Sequence, residues 1–155
     1  MNLDRTDLAI LDILQHNARI SNKDLAEEVG VAASTCLDRV RRLRSIGAIT
    51  NFRTEVAMTA LGIGVEAMIS LRLVQHANIS FDQLTEELMK IPEAVEVYVL
   101  AGAHDILIHV AIKDVNHLRK LIGDKFSARG DIAHIETWII FEHVRSPSLP
   151  NYREG

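Results

Sequence analysis

Cysteine is almost missing from this chain: Cys36 is the only one in 155 residues. One thiol can neither close an internal disulfide nor furnish the thiolates of a tetrahedral zinc site. A disulfide scaffold and a zinc ribbon are therefore excluded, and stability must come from packing. Long apolar runs are also lacking. The longest, Val97 to Ala103, is far short of the roughly 20 residues that a membrane-spanning helix needs. Asp4 and Asp7 oppose a signal-peptide reading of the first residues, so a cytoplasmic setting without a membrane partner is expected. There is no phosphate-binding glycine loop, activated nucleophile or cofactor motif, which argues against an enzyme and for no cofactor. What is present is the composition of a chain that folds, 48% hydrophobic and 25% charged. Its length suits one average domain or two small ones and excludes a large multidomain enzyme.

The net charge of −4 conceals a division. Up to residue 60, eight basic residues balance eight acids, whereas from 61 onward nine face thirteen. Within the neutral part, Arg39, Arg41, Arg42 and Arg44 stand together with no acid among them, a local electropositive patch on an acidic protein. Such a patch wants an anion.

Residues 1–50 read as three short helices. Asp4 and Asp7 open the first, followed by Leu8, Leu11, Ile13 and Leu14 at helical spacing. Ser21 with Asp24 resembles a capping box for the second, which Gly30 ends. Ser34 is placed to cap a third, running through about Ile46 and ended by Gly47. The short glycine-containing connection between the second and third forces a steep crossing, the helix-turn-helix arrangement. At about 100° per residue, Thr35, Asp38, Arg39 and Arg42 share one face of the third helix, and Cys36, Val40 and Leu43 share another. One face packs and the other reaches out. An arginine run taken alone is more often a solvated surface. In this context it fits a recognition helix, with Ser34, Thr35 and Asp38 near base edges and Arg39, Arg41, Arg42 and Arg44 for guanine and phosphate. Double-stranded DNA is the expected partner.

Residues 51–64 suggest a short linker strand and a hinge at Leu61-Gly62-Ile63-Gly64. From 65 to 145 the periodicities alternate between strand and helix. Val65 to Val74 is a strand. Ser80 with Gln83 caps a helix whose Phe81, Leu84, Leu88 and Ile91 face inward, and Pro92 stops it. Val95 to Leu100 and Ile106 to Ile112 form a hairpin, Asp114 caps a helix presenting Leu118, Leu121, Ile122 and Phe126, and Ile135 to Val144 is a last strand. The order β-α-β-β-α-β predicts a ferredoxin-like unit, an antiparallel sheet with both helices on one face. The fold class is thus α+β, a winged-helix-like helix-turn-helix domain followed by the ferredoxin-like domain and a tail at 146–155. The uncovered sheet face carries enough apolar residues to call for a second copy, hence a homodimer.

Several short motifs together carry a family resemblance: Leu3-Asp4 with Asp7 and Ile10-Leu11, Ala18-Arg19-Ile20-Ser21, Asp24-Leu25-Ala26, Gly30-Val31, and Arg39-Val40 with Arg42-Leu43, Gly47 and Ile49. In these the chain resembles the Lrp/AsnC family, the feast/famine regulatory proteins, over almost its whole length. Gly102-Ala103-His104-Asp105 is similar to the G-x-x-D loop of that family's regulation-of-amino-acid-metabolism domain. The resemblance implies a transcription regulator of the prokaryotic cytosol or nucleoid, built of dimers that assemble into tetramers or octamers, binding DNA and an amino acid effector. It also implies an effector site between dimers that uses the last strand, with Thr137 in the family's threonine position and Val99 and His134 as further candidates. The loop chemistry agrees. An amino acid needs backbone N–H groups for its carboxylate and an anion for its ammonium, which Gly102, Ala103 and His104 offer beside Asp105. The same residues also suit a plain hairpin turn. His104 stands in a variable part of the loop and leaves the preferred ligand open.

Other readings compete. The seven histidines, His16, His76, His104, His109, His117, His134 and His143, lack metal-ligand spacing, so no metal is expected, and His134 with Glu136 reads as a surface pair. Cys36 near a helix start would suit a redox sensor, but its place on the Val40 and Leu43 face favours packing. A small dimeric enzyme using His104 and Asp105 would leave the arginine helix unexplained. An architectural DNA-binding protein that ignores small molecules is the remaining alternative, distinguished by whether a ligand alters DNA binding or assembly.

Overall fold

A computed structural model describes residues 2–74 and 80–153, so His76 lies outside the described residues. The chain forms two compact units, a smaller one of residues up to Glu55 together with the segment from Val144, and a larger one of Val56–His143. The tail thus groups with the N-terminal helices rather than standing apart, and there the Leu149 N–H donates to Gln15 Oε1 at 2.8 Å.

In the smaller unit, α1 (Arg5–His16), α2 (Asn22–Glu28) and α3 (Ala33–Ser45) enclose Ile10, Leu25, Ala26, Cys36 and Leu43. The helix starts differ in kind. At α1, Asp4 and Asp7 cap each other: the Asp7 N–H donates to Asp4 Oδ1 at 2.9 Å and the Asp4 N–H to Asp7 Oδ2 at 3.2 Å. Two helix-end N–H groups without intrahelical partners are thereby satisfied. At α2, Ser21 Oγ accepts from the Asp24 N–H at 3.1 Å. At α3 the expected cap is corrected. Ala32 holds the N-cap position with no side-chain bond, and Ser34 falls inside the first turn. Nearby, Asn22 Nδ2 of α2 donates to the Ala33 carbonyl at 2.8 Å and ties the start of α3 to α2.

The expected linker strand does not form. Residues 51–57 have no regular structure and Met58–Leu61 makes a 3₁₀ turn, because a strand needs a ladder partner and none of the described residues offers one. Beyond it a close approach requires glycine: a Cβ at Gly64 would lie 2.5 Å from the Lys113 carbonyl oxygen.

The larger unit runs β1 (Val65–Leu73), α4 (Phe81–Leu88), β2 (Ala94–Val99), β3 (Ile106–Ile112), α5 (Val115–Lys125) and β4 (Ile132–Ile140). Its four strands lie in the order β2-β3-β1-β4, all neighbours antiparallel. Ala67, Ile69 and Leu71 of β1 and Ile106, Ile108, Val110 and Ile112 of β3 pack with Leu84, Leu88, Leu118, Leu121 and Phe126 of the helices. Each such side chain contributes about 1.5–3 kcal/mol on burial, so this layer holds the unit together.

Two boundaries move. β4 starts earlier than expected and ends at Ile140, where its pairing reaches Glu66 near the start of β1, and the next side chain, Phe141, is 98% exposed. Phe81, expected inward, is 42% exposed: it is the first residue of α4, and the helix packs into the core through Leu84 and Leu88 instead. The open face also differs from a bare apolar surface. Alongside Met68, Leu107, Trp138 and Ile140 it carries Glu66, Ser70, His109, Glu136 and His134, as the strand register shows. His109 and Ser70 are nonetheless buried. His109 Nε2 lies 2.7 Å from Glu66 Oε1, and the His143 ring stands edge-on to it at 6.0 Å.

Arg129, between α5 and β4, grips Asp131 through Nε to Oδ1 at 2.9 Å and Nη2 to Oδ2 at 2.6 Å, and reaches Glu87 of α4 at 3.3 Å. The guanidinium holds the Asp131 carboxyl below its ordinary value of 3.8. A carboxyl whose pKa is lower folded than unfolded stabilises above the unfolded value and loses that contribution as pH falls through the folded one. Asp131→Asn should therefore melt below the parent near neutral pH, with the gap closing as pH drops below 3.8. Thermal melts across that range check this, and a gap independent of pH would refute it.

Candidate functional site

The arginine patch on α3 resolves into two unlike pairs. Arg39 Nη1 meets Asp4 Oδ1 at 2.9 Å, Asp4 Oδ2 at 2.7 Å and Asp7 Oδ1 at 2.8 Å. Arg42 Nη2 pairs with Asp7 Oδ2. Both arginines are thus engaged by acids of the α1 start, and Asp7 is completely buried beneath them. The Asp7 N–H first, and Arg39 second, hold the Asp4 carboxyl below its usual range, while Asp4 and then Asp7 push the Arg39 pKa up. Among the described residues Arg41 keeps only an exposed contact with Asp38 at 3.7 Å, worth little in water, and Arg44 is exposed. Thr35, Asp38, Arg39 and Arg42 line one cleft with Asn2, Asp4 and Asp7, of about 520 Å³. Ser34 is exposed on the first turn of α3. Cys36 is buried, which pushes its thiol pKa up and suits packing.

In the sequence, Asp4 and Asp7 read as a helix start and as part of the family motif, not as ion-pair partners. Their partners lie 32 to 35 residues away, and no local spacing signals such a pair.

In the larger unit the loop after β2 is fastened at its base. The Leu100 N–H donates to the Asp105 carbonyl at 2.8 Å, the Asp105 N–H to the Leu71 carbonyl at 3.0 Å, and the Leu73 N–H to Asp105 Oδ2 at 2.7 Å. Asp105 therefore ties the loop to the central strand. Gly102 has φ 155°, a value that side-chain-bearing residues rarely adopt. Among the described residues, the N–H groups of Ala101 to His104 donate to no backbone or side-chain acceptor. They remain available to an anion.

His104 turns onto the open sheet face. Its Nε2 lies 3.6 Å from Glu136 Oε2 and its ring stands edge-on to Trp138 at 6.1 Å. His134 Nε2 meets the other oxygen of Glu136 at 3.2 Å, the surface pair the sequence suggests. Buried among the open-face groups, Ser70 Oγ and His104 Nδ1 have no partner among the described residues. Thr137 and Val99 are placed elsewhere. Thr137 pairs with Ile69 and Val99 with Ile106, which puts both on the helix-covered side of the sheet. A single chain therefore does not bring Thr137 and Val99 together with His134 around the loop, because neighbouring residues of a strand point to opposite faces. Glu136 and Trp138, which do meet His104, were not among the expected site residues. Among the described residues, no group of three or more His, Cys, Asp or Glu side chains is arranged to hold a metal ion.

Asp105→Ala removes the acceptor of the Leu73 N–H and should cost about 1–2 kcal/mol of unfolding free energy, while Asp105→Asn retains an oxygen there and should cost less. Denaturant unfolding of both variants checks this order, and equal losses would show that the carboxyl is not a fastening.

With the geometry in place, comparison with known proteins accounts for both units. Residues 3–44 match the AsnC-type helix-turn-helix domain, and residues 66–149 the Lrp/AsnC ligand binding domain. The HTH-type transcriptional regulator AldR of Mycolicibacterium smegmatis is 42% identical over 147 residues, 95% of this chain and 86% of that protein. The structure of Escherichia coli AsnC aligns with TM-score 0.83 and 26% identity over 96% of this chain and 99% of that one. The transcriptional regulator NMB0573 of Neisseria meningitidis, solved as a complex with L-Met, aligns with TM-score 0.87 and 24% identity over 96% and 97% of the two chains, a likeness of fold. The Mycolicibacterium relative is named as a transcriptional regulator. An arginine-bearing helix-turn-helix joined to an α+β ligand-binding domain, matched in both parts, places this chain in the Lrp/AsnC family of transcriptional regulators.

Proposed function

We propose that the chain binds double-stranded DNA sequence-specifically through α3 and that an amino acid effector, held at the Gly102 to Asp105 loop, modulates its DNA binding or assembly. One observation carries the DNA reading: Arg42 stands half-exposed on α3, held at one nitrogen by buried Asp7, in a cleft shared with Thr35 and Asp38. A guanidinium fixed at one end presents its remaining donors in a set direction, as recognition of a guanine edge requires. Arg41 and Arg44 supply sequence-independent attraction to phosphate, and Arg39 serves the scaffold more than the contact. Ser34, Thr35 and Asp38 shape preference without adding positive charge.

The effector reading rests on the unused N–H groups of the loop beside the Asp105 carboxylate. Ala103 and His104 belong to this loop, and Val99, His134 and Thr137 complete a site only where another copy adjoins it. In support of amino acids as the ligand class, the related Neisseria regulator was crystallised with L-Met. A second copy over the open sheet face gives a homodimer, and further pairing a tetramer or octamer, which sets two recognition helices on an approximately two-fold symmetric operator. Among the described residues no helix is long and apolar enough to cross a membrane, and the proposed place of action is the prokaryotic cytosol or nucleoid.

Arg42→Ala should weaken binding to a duplex enriched by this chain from a random library by about 1–3 kcal/mol, and Arg44→Ala should reduce the salt dependence by about one phosphate contact. Unchanged binding in both, measured by titration at matched salt, would remove α3 from the interface. In a thermal-shift screen of the twenty amino acids, a subset should raise the melting temperature, since a ligand of the native state alone stabilises it. Asp105→Asn should keep the fold and lose that rise. No shift with any amino acid would leave the loop a hairpin turn.

A further inference from the structure

Asp7 is a charged residue with no solvent exposure, and among the described residues its side-chain hydrogen bonds go to α3 and to its own helix start. Its Oδ1 receives Arg39 Nη1 at 2.8 Å, and its Oδ2 receives Arg42 Nη2 and the Asp4 N–H. Arg39 is further gripped by both oxygens of Asp4. The two arginines and two acids form a neutral cluster between α1 and α3. This is an odd provision for a surface meant only to attract phosphate, because each acid there repels DNA. For affinity alone, neutral residues at positions 4 and 7 would serve better.

We propose that Asp7 is a positioning residue that determines sequence specificity: it aims Arg42 at base edges and, through Arg39 and Asp4, locks the rotation of α3, at the expense of overall affinity. This rests on α3 being the DNA-reading helix. A guanidinium is planar with its donors in a rigid fork, so holding Nη2 on a buried, immobile carboxylate restricts where the other donors point. An untethered arginine of the same charge settles on whichever phosphate is near, whereas a tethered one loses its binding energy when the base edge in front of it is wrong. Arg39 acts as a strut. Its engaged nitrogen meets three carboxylate oxygens within 2.9 Å, so binding a phosphate through it would mean abandoning them.

The test uses the full chain and two duplexes of equal length, one enriched by the parent chain from a random library and one of mixed sequence, each titrated over a salt series. Asp7→Asn keeps the size of the side chain and removes its charge. It should bind the mixed-sequence duplex more tightly, with a salt slope steeper by about one, and its preference for the enriched duplex should fall about tenfold or more. A residue that merely supports the fold would lower both affinities in proportion and leave the preference intact; that result overturns the proposal. Where Asp7→Asn shows no cooperative melt, Arg39→Gln decides. A reduced preference with an unchanged salt slope supports the strut, and a retained preference or a slope reduced by about one overturns it. Arg42→Ala separates the two levels. If it leaves binding to both duplexes unchanged, Arg42 reads no base and this inference falls; if Arg44→Ala does the same, the reading of α3 falls as well. If Arg42→Ala weakens binding while Asp7→Asn retains the preference, only the positioning role fails.

Discussion

β1 is hydrogen-bonded on both sides, to β3 from Val65 to Leu71 and to β4 from Glu66 to Leu73. Its two-residue period is thereby imposed on three strands at once, and almost everything in the larger unit follows from that parity. Ala67, Ile69 and Leu71 face the helices, so Val110, Ile108 and Ile106 must do so too, and these form the buried layer. Glu66, Met68, Ser70 and Arg72 take the open face and bring His109, Glu136, Trp138 and His134 with them. The same parity sends Thr137 to the side opposite His134. A ligand site that used both would need something outside one sheet to complete it.

The open face illustrates how a chain manages polar groups that parity forces onto a half-covered surface. Its histidines are matched to carboxylates rather than to one another: His109 with Glu66, and His104 and His134 with Glu136; elsewhere in the unit His117 meets Glu93. Pairing of this kind satisfies a buried polar group without a metal. It also leaves the apolar remainder, chiefly Met68, Leu107, Trp138 and Ile140, in a polar frame, the composition expected where a second protein surface is met.

In the smaller unit the corresponding constraint is the burial of Asp7. A carboxylate withdrawn from water is costly unless opposite charge and hydrogen bonds compensate it, and losing one partner of such a group typically costs about 3–5 kcal/mol. Two arginines from α3 and a backbone N–H provide that compensation. α3 is consequently tied to α1 by groups that cannot be replaced by just any hydrophobic contact. Part of its charge serves the scaffold, so its four neighbouring arginines are not four equivalent cations.

The sequence by itself determined the element order, the caps at Ser21, Ser80 and Asp114, the inward stripes Leu84 with Leu88 and Leu118 with Leu121, the hairpin, and the family. These follow from spacings of two to four residues, where side-chain periodicity and helix-end chemistry act. It failed where a partner elsewhere in the chain decides. Ser34 is not a cap because α3 begins at Ala33, with Ala32 in the N-cap position, the strand at 51–57 is missing for want of a ladder partner, and β4 stops at Ile140, opposite Glu66. The tertiary structure alone placed Asp7 under Arg39 and Arg42, fastened Asp105 to Leu73, and parted Thr137 from His134. A buried charge needs compensation but does not specify from where, and only the packed chain brings groups more than thirty residues apart to hydrogen-bonding distance.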